Sequence, residues 1–405
     1  MQKYTLIILL VFLTNCQNKK ENEQRFTQEQ ISSLKLDNTK ILKINSDSMS
    51  VIDLNPFLGK QSFDFGSLVK EVKLIPLETT DKGLLDDIRK VLLTDTHIYV
   101  HDNFLGGGIV VFDSQGKFVK RITAGKGPGE LFRLFDIDFD KENDELIAYQ
   151  HSFLLHYTPL GEFIRQERLP FGAYNFSVTL NGYVFKVLEG GQGNVHLGTF
   201  EKYTLIVTDK NFKLVSAGIP KSLYATTLGA SQLLFNNSTL NITHHYTDTI
   251  FQYNEATNRL TARYLLEYGK KRLPDMYLRG TNEQFKRAIN NNDYYFFLGQ
   301  YNHTYSHDVV YLDNWFEKVR LVVYRDKESG NLIGGTTANF DSNEMPPMAF
   351  PSWTSGNYFI SAYYPNGQEP FIANSTIICD EDKLKLKDLT ENDNPVLVLF
   401  KLRNF

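Results

Sequence analysis

The sequence predicts an all-β protein, a six-bladed β-propeller with a short helical insertion, and leaves seven blades as the alternative. Three observations support this fold class. Aromatic residues make up 13% of the 405 residues, and such side chains fit a pleated, half-buried surface. A hairpin pattern recurs along the chain at nearly regular intervals. An apolar strand near the C-terminus is expected to pair with one near the start of the domain, and this pairing can close a ring of blades.

The clearest hairpin lies in residues 109–130. Two apolar runs that alternate at period two flank the D-S-Q-G turn that contains Gly116. A glycine-rich loop follows, made of Gly125, Gly127, Pro128, Gly129 and Glu130. It lacks the G-x-x-x-x-G-K-[ST] spacing that binds phosphate. We therefore expect a loop that connects one blade to the next, with Glu130 capping its backbone amides.

Four more hairpins repeat this pattern, with turns at Gly161, Asn211, Asn258 and Gly330. Gly and Asn tolerate the positive φ that such turns need. The first intervals are about 45–50 residues, a period typical of propeller blades. The last interval is longer and must contain an insertion. There the sequence T-N-E-Q-F-K-R-A-I-N predicts a short helix with Thr281 as its N-cap.

Residues from both ends of the chain are predicted to form the closing blade. Residues 72–77 and 396–402 both read as strands and are expected to pair, with Pro76 indicating an edge position. Five hairpins and this composite blade make six. Residues 338–367 are rich in Pro, Gly, Asn and Ser, so we expect long loops there.

The N-terminus predicts export. Residues 6–13 form an apolar run that is too short to span a bilayer but suits a signal peptide. The following L-T-N-C resembles the lipobox of bacterial lipoproteins, which implies a lipid on Cys16; an ordinary secretory signal is the alternative. We expect a signal peptide over 1–16, a polar tether and lead-in over 17–64, and the propeller over 65–405. Cys379, the only other cysteine, is expected to be buried, and no disulfide framework is available.

The repeat itself carries a resemblance. The pattern F-D-x-x-G-K-F-x-x-x-I, followed by G-K-G-P-G-E-L, resembles the repeat of NHL-type propellers. With the segment V-K-L-I-P-L-E-T-T, the ending N-P-V-L-V and the lipobox, residues 65–403 are similar to six-bladed β-propeller lipoproteins of Bacteroidota. The resemblance implies the fold and an envelope location, with membrane contact through the lipid only. It supplies no catalytic residues. The Q-N-K-K run after Cys16 lacks the acidic patch of surface-exported lipoproteins, which favours the periplasmic side of the outer membrane.

One acidic stretch invites a calcium interpretation. Asp136, Asp138 and Asp140 fit the first positions of an EF-hand loop. However, Lys141 stands where that loop needs Gly, and Ile147 stands where it needs Glu. The alternation of apolar and acidic residues instead predicts a strand with its acids on one face.

The histidines and the aromatic run offer weaker candidates. His244 and His245 lie near Asp248, but adjacent strand residues point to opposite faces and do not easily share a metal. Four further histidines fall near strands of the first two blades, and one or two could reach the central tunnel: His97, His101, His151 and His156. The run 294–297, with Tyr301 and Tyr305 after it, predicts a buried strand, or alternatively an aromatic platform for a sugar or peptide.

Composition limits the function classes. A net charge of -4 and a pI near 6.2 give no reason to expect nucleic acid. No catalytic or metal signature stands out, and no cofactor is predicted. The sequence therefore favours a non-enzymatic binding or scaffold module for a protein, peptide or glycan ligand. The alternative, implied by the resemblance, is a metal-dependent lyase or lactonase with Ca²⁺ or Zn²⁺ in the central tunnel.

Overall fold

Six small sheets, arranged around a common axis, form a six-bladed β-propeller in the computed structural model. The structure describes residues 26–59, 64–103, 108–150, 152–187, 193–221, 234–236, 239–337, 350–365, 375 and 377–405. The predicted fold class is confirmed, with six blades and not seven. Within these residues, no helix has the length and apolar character needed to cross a membrane.

The strands follow the chain from blade to blade. Four strands come first: β1 Lys40–Ile41, β2 Ile44–Asn45, β3 Ser50–Asp53 and β4 Val69–Pro76. Blade 1 contains β5 Ile88–Leu93, β6 His97–Asp102, β7 Gly108–Asp113 and β8 Phe118–Ile122. Blade 2 contains β9 Leu134–Asp140, β10 Glu145–Gln150, β11 Phe153–Tyr157 and β12 Phe163–Arg168. Blade 3 contains β13 Asn175–Val178, β14 Gly182–Lys186, β15 Tyr203–Asp209 and β16 Leu214–Pro220.

The second half of the ring follows the same plan. Blade 4 contains β17 Leu234–Asn236, β18 Thr239–His244, β19 Thr247–Asn254 and β20 Arg259–Glu267. Blade 5 contains β21 Tyr301–His303, β22 His307–Asn314, β23 Val319–Asp326 and β24 Leu332–Thr337. Blade 6 contains β25 Trp353–Ser355, β26 Tyr358–Tyr363 and β27 Val396–Leu402, with β4 as its outermost strand. The first strands of blades 5, 6, 1, 2 and 3 contact one another in turn, as expected for strands that surround an axis.

The closing blade joins the two ends of the chain, as predicted. β4 pairs antiparallel with β27, and Leu74 lies opposite Val398. Pro76, which cannot donate a backbone hydrogen bond, stands on the outer strand. Residues 353–363, for which we expected long loops, instead form the two inner strands of this blade. Short strands with few β-branched residues are hard to distinguish from loops by pattern alone.

The segment before the first blade is folded onto the propeller. We expected a tether and lead-in over 17–64, but from Phe26 onward the described chain packs on blades 3 and 4. Helix α1, Gln28–Ser33, starts with a capping box at Thr27. Leu34 is fully buried against blade 3. β1 then pairs parallel with β16, and β2 and β3 pair parallel with β20. We call residues 26–57 the N-terminal strap.

Alternating side chains hold neighbouring blades together. On β10, Leu146 and Ala148 pack with blade 1, whereas Ile147 and Tyr149 pack with blade 3. All four are fully buried. Because successive strand residues point to opposite faces of a sheet, one strand supplies apolar side chains to two interfaces. The core is therefore a ring of inter-blade clusters.

The helices lie in the connections. Helix α2, Phe65–Leu68, precedes β4. The predicted insertion between blades 4 and 5 is confirmed, and it contains two helices, α3, Asp275–Leu278, and α4, Asn282–Asn291. Thr281 caps α4, and its Phe285 and Ile289 are buried. A fifth helix, α5, Asp380–Leu386, was not predicted. Cys379 is its N-cap and is exposed, so the expectation of a buried thiol is wrong. The apolar T-I-I-C run did not indicate that a helix begins directly after this residue.

Candidate ligand-binding face

The two faces of the propeller carry loops of different length. On one face, short turns such as residues 94–96 and 141–144 join the first strand of a blade to the second. On the other face, second strands lead into third strands and each blade connects to the next. Segment 268–300, with helices α3 and α4, lies there. We call these the short-turn face and the long-loop face. Ligand sites are disproportionately formed by loops that a rigid scaffold positions.

Hydrogen bonds link the first four blades near the axis. Lys90 Nζ lies 2.9 Å from Asp136 Oδ1, which joins blade 1 to blade 2. Asp136 Oδ2 accepts a bond from Phe176 N in blade 3 at 3.1 Å. Lys186 Nζ donates to the Thr243 carbonyl of blade 4 at 2.8 Å. Each of these bonds crosses from one sheet to the next.

The same pattern continues around the rest of the ring. Thr243 Oγ1 donates to the Gly299 carbonyl, just before blade 5, at 2.7 Å. Asn302 Nδ2 donates to the Pro351 carbonyl, just before blade 6, at 2.7 Å. Trp353 Nε1 donates to the Arg89 carbonyl of blade 1 at 3.3 Å. Every pair of neighbouring blades is thus joined by a polar contact around the axis.

Acidic residues of β9 form part of these polar contacts between blades. Asp138 Oδ2 accepts bonds from Val178 N at 2.8 Å and Ser177 Oγ at 3.0 Å. Burial disfavours the charged ammonium of Lys90, but the carboxylates of Asp136 and Asp138 outweigh burial and raise its pKa. Burial likewise raises the pKa of Asp138, against the charge of Lys90. The strand interpretation of these acids holds, because backbone amides of the next blade occupy their carboxylates.

The predicted histidines do not converge. His101 is buried close to Lys90 and Asp136, and its pKa is lowered to about 4, chiefly by burial. His97 lies at the opposite end of β6, with Nδ1 2.9 Å from Thr96 Oγ1. His156 is buried away from the axis, with Nδ1 2.8 Å from Glu145 Oε2. His151 falls outside the described residues.

His244, His245 and Asp248 each have different surroundings. His244 Nε2 lies 3.3 Å from Thr204 Oγ1. Asp248 accepts hydrogen bonds from Tyr268 and Arg272. His245 occupies the turn between the second and third strands of blade 4, on the long-loop face. Among the described residues, no three His, Cys, Asp or Glu side chains come together as a metal site.

The glycine loop connects β8 to β9, from blade 1 to blade 2. Gly127 N donates to Glu130 Oε2 at 2.7 Å, the capping contact that we expected. Gly129 has φ +76°, and a Cβ there would lie 2.6 Å from the Cβ of Phe163. Only glycine fits such a position without displacing the next blade's outer hairpin. The loop therefore has an architectural use in this structure.

The predicted turn residues lie in the hairpins between third and fourth strands. Gly116, Gly161, Asn258 and Gly330 all have positive φ. In the remaining hairpin, Asn211 stands in the turn, but the positive φ belongs to Phe212. The Asp209 carboxylate accepts bonds from Asn211 N and Lys213 N, as Asp113 does from Gln115 N and Lys117 N in the first hairpin. The two turns are therefore equivalent, and Phe212, three residues after the Asp, stands at the position of Gly116.

The aromatic run does not form a platform. Tyr295, Phe296, Phe297 and Tyr301 are buried, and Tyr305 is exposed but lies on the short-turn face. Exposed apolar side chains occur instead at other positions of the long-loop face: Leu84, Phe132, Met276, Trp315, Phe316 and Tyr364. In the described short turns of the opposite face, Leu160, Leu180 and Tyr305 are comparable. Sequence pattern could not select these residues, because exposure depends on the neighbouring loops.

Comparison with known proteins places the chain in a family. Residues 49–401 match a family described as a domain of unknown function, DUF4934. The chain belongs to the DUF4934 family. The matched region begins inside the N-terminal strap and ends in the closing strand, so it spans every blade. No curated protein sequence matches the chain.

A solved structure shows the same fold as this DUF4934 chain. A Bacteroides fragilis protein, provisionally described as exported, is 17% identical, with a TM-score of 0.70 over 88% of this chain and 100% of its own. More remote are the Pan2 WD40 domain of Neurospora crassa (9% identity, 78% and 76% covered, TM-score 0.35) and a Bacteroides caccae protein of unknown function (14%, 61% and 80%, TM-score 0.34). At these identities, only the first comparison informs the fold, and none informs activity.

Proposed function

We propose that this DUF4934 chain is an envelope-tethered binding or scaffold module whose long-loop face holds a protein, peptide or glycan ligand. The observation that carries the proposal is the uneven distribution of exposed apolar side chains between the two faces. Trp315 and Phe316 are 41% and 45% exposed, and Met276 is 71% exposed. Aromatic residues and Met are enriched where proteins bind partners. Concentration on one face is typical of a binding surface.

The location of the module is part of the proposal. Export is supported by the signal-like N-terminus and by the provisional description of the Bacteroides fragilis protein. We propose a lipid on Cys16 and a position on the periplasmic side of the outer membrane. Whatever their conformation, residues 17–25 cannot extend beyond about 30 Å. The propeller therefore lies close to the membrane that holds the anchor.

The first residue of the N-terminal strap shows where the tether reaches the propeller. The Phe26 ring lies 4.6 Å from the ring of His196. His196 Nε2 in turn lies 2.8 Å from the Pro170 carbonyl, in the connection from blade 2 to blade 3. That connection belongs to the long-loop face. The anchored chain thus enters the fold on the same side as the proposed ligand surface.

Site-specific photo-crosslinking in cells tests the binding surface. A photoreactive amino acid at Trp315 should capture an envelope component, because this side chain is exposed on the long-loop face. The same probe at Tyr305, which is 55% exposed on the short-turn face, is the matched control. Equal capture at both positions, or none at Trp315, would contradict the proposal.

Replacing Cys16 tests the anchor separately. The Cys16→Ala variant should move from the membrane fraction to the soluble fraction after cell lysis. Cys379→Ala is the control, since this exposed thiol lies far along the chain and has no part in anchoring. A Cys16→Ala protein that stays with the membrane would show that the lipid is not the anchor.

The metal-dependent enzyme remains the alternative and has no specific observation in its favour. The axial acids Asp136 and Asp138 are engaged by Lys90 and by backbone amides of blade 3. Metal analysis of the purified protein tests it directly. A stoichiometric content of calcium or zinc would favour an enzyme over the non-enzymatic binding module.

A further inference from the structure

The helical insertion and the turn beside it carry exposed apolar side chains on the long-loop face. Met276 of α3 is 71% exposed. Trp315 and Phe316, in the turn between the second and third strands of blade 5, are 41% and 45% exposed. The Trp315 ring also lies 5.4 Å from the buried ring of Phe296. Packing against the protein therefore holds this side chain in place while much of it remains open.

Basic side chains occur in the same two segments. Lys286 and Arg287 are exposed on α4, on the side opposite its buried residues. Arg279 follows α3, Lys318 ends the turn of blade 5, and both are exposed. In the described part of the chain none of these four cations forms an ion pair, unlike Lys271 of the same insertion. Their charges are therefore available to a partner.

Unpaired acids are fewer in these segments. Asp275 and Asp293 are paired with cations of the insertion, which leaves Glu283 and Glu317 as the exposed acids without an ion pair among the described residues. Four unpaired cations against two unpaired acids give a local positive charge, although the whole chain carries -4. Such a charge attracts an anionic partner. We give the name insertion surface to the exposed apolar and basic positions: Met276, Arg279, Lys286, Arg287 and residues 315–318.

The tether keeps a bilayer on this side of the propeller. Residues 17–25 join the proposed lipid on Cys16 to the strap and reach at most about 30 Å. Phe26 then lies against His196 of blade 3 on the long-loop face, where the neighbouring Val195 is 69% exposed. Blade 4 follows blade 3 in the ring, and the insertion follows blade 4. The bilayer that holds the anchor therefore lies on the side that carries the insertion surface.

The chemistry of the insertion surface fits a layer of lipid headgroups. Trp is enriched at membrane–water interfaces, where its amphipathic ring lies at the level of the headgroups. Proteins that lie on a membrane insert aromatic and aliphatic side chains, and their Lys and Arg side chains are attracted to anionic lipids. The same residue types also occur in protein interfaces. The tether favours the bilayer, because it holds every anchored molecule within about 30 Å of one.

We propose that the insertion surface docks on anionic lipid headgroups of the bilayer that holds the anchor, with Trp315 and Phe316 reaching the boundary of the acyl chains. Docking depends on the anchor proposed above and adds a second membrane contact to the lipid, which was the only contact that the sequence predicted. The exposed apolar side chains around blades 6, 1 and 2 remain open to the ligand: Leu84, Phe132 and Tyr364.

Tryptophan fluorescence tests the docking, because the chain has only two tryptophans. Trp353 is 6% exposed inside blade 6 and is the internal reference. The full chain, purified with its anchor, is placed in vesicles of phosphatidylcholine and phosphatidylglycerol whose acyl chains carry bromine, which quenches fluorescence at contact. We expect a loss of Trp315 emission relative to vesicles without bromine. The Trp315→Phe variant should show no such loss.

Charge reversal tests the anionic headgroups. Each Lys or Arg near an anionic membrane favours binding about fivefold, so Lys286→Glu combined with Arg287→Glu should lower the ratio of docked to undocked chains about tenfold or more. Lys141→Glu combined with Lys213→Glu makes the same change of charge at exposed positions of the short-turn face and should leave quenching unchanged. Wild-type chains in pure phosphatidylcholine, or at high salt, should also lose quenching.

Three results would overturn the inference. Wild-type chains that show no quenching, or a Trp315→Phe variant quenched as strongly as they are, would place Trp315 away from the bilayer. Quenching that neither charge reversal nor pure phosphatidylcholine reduces would exclude the anionic headgroups. In cells, the photoreactive residue at Trp315 should capture phospholipid, and capture of a protein or glycan there would contradict docking while supporting the ligand proposed above. Because the vesicles contain no such ligand, quenching in them does not depend on that ligand.

Discussion

Asp138 Oδ2 lies 2.8 Å from Val178 N, so a side chain of blade 2 pairs with the backbone edge of blade 3. Asp136 does the same two residues earlier, with Phe176 N at 3.1 Å. The innermost strand of a blade has a free edge toward the axis, whose amides need acceptors. Two carboxylates at period two provide them. The stretch that suggested calcium therefore functions as a connection between blades.

Removing the Asp138 carboxylate should destabilise the propeller. Asp138→Ala leaves Val178 N and Ser177 Oγ without their acceptor, and we expect a loss of about 1–3 kcal/mol in the free energy of unfolding. Urea denaturation measures it. Glu142→Ala is the control, because Glu142 makes an exposed contact with Lys210 that contributes less than about 1 kcal/mol. Equal stability of the two variants would contradict the structural use of Asp138.

The turn glycines should not be equivalent. Gly116 and Gly330 have φ of +84° and +78°. A Cβ at Gly116 would lie 2.2 Å from the Pro76 carbonyl of the closing blade, whereas at Gly330 it would meet open space. We expect Gly330→Ala to cost about 1 kcal/mol from backbone strain alone. Gly116→Ala should cost clearly more, because blades 1 and 6 must also separate. Comparable denaturation midpoints for both would show that the contact can relax.

The strap should contribute to stability as part of the fold. Ile52 is 2% exposed, and its neighbour Val51 is 61% exposed on the same strand. Ile52→Ala should lower the free energy of unfolding by about 2–4 kcal/mol through a lost core contact. Val51→Ala should change it by less than about 0.5 kcal/mol. Thermal denaturation compares the pair, and an unaffected Ile52→Ala would indicate that the strap is detached in solution.

Stability should fall as pH drops from about 6.5 to about 4. The pKa of His101 is lowered from its ordinary value to about 4, chiefly by burial. The unfolded chain then binds more protons than the folded chain within this window, so the free energy of unfolding increases with pH there. The full effect of His101 is on the order of 3 kcal/mol. His101→Phe should make the profile less steep, with the remaining slope due to other buried histidines whose pKa values are also lowered, such as His245. Trp315→Phe, which carries no titrating group, should leave the slope unchanged. A His101→Phe profile as steep as that of the wild type would assign the slope to other groups.

Much of the architecture could be predicted from local pattern. Residues 109–122 alternate at period two around Gly116, and each copy of this hairpin became the outer pair of a blade. The pairing of β4 with β27 followed from two apolar strands at opposite ends of the chain. Thr281 marked the start of a helix because its cap is a local contact with Gln284. These features depend on neighbours in sequence, or on periodicity that any single strand displays.

The tertiary structure decided what depends on distant neighbours. Leu34 and Ile52 lie in a polar segment of the sequence, and their burial depends on packing against the blades. The sequence by itself determined that this chain repeats one hairpin into a closed ring. Which side chains meet at the axis and which remain exposed on the long-loop face was decided by contacts between blades, because such contacts join residues far apart in the chain.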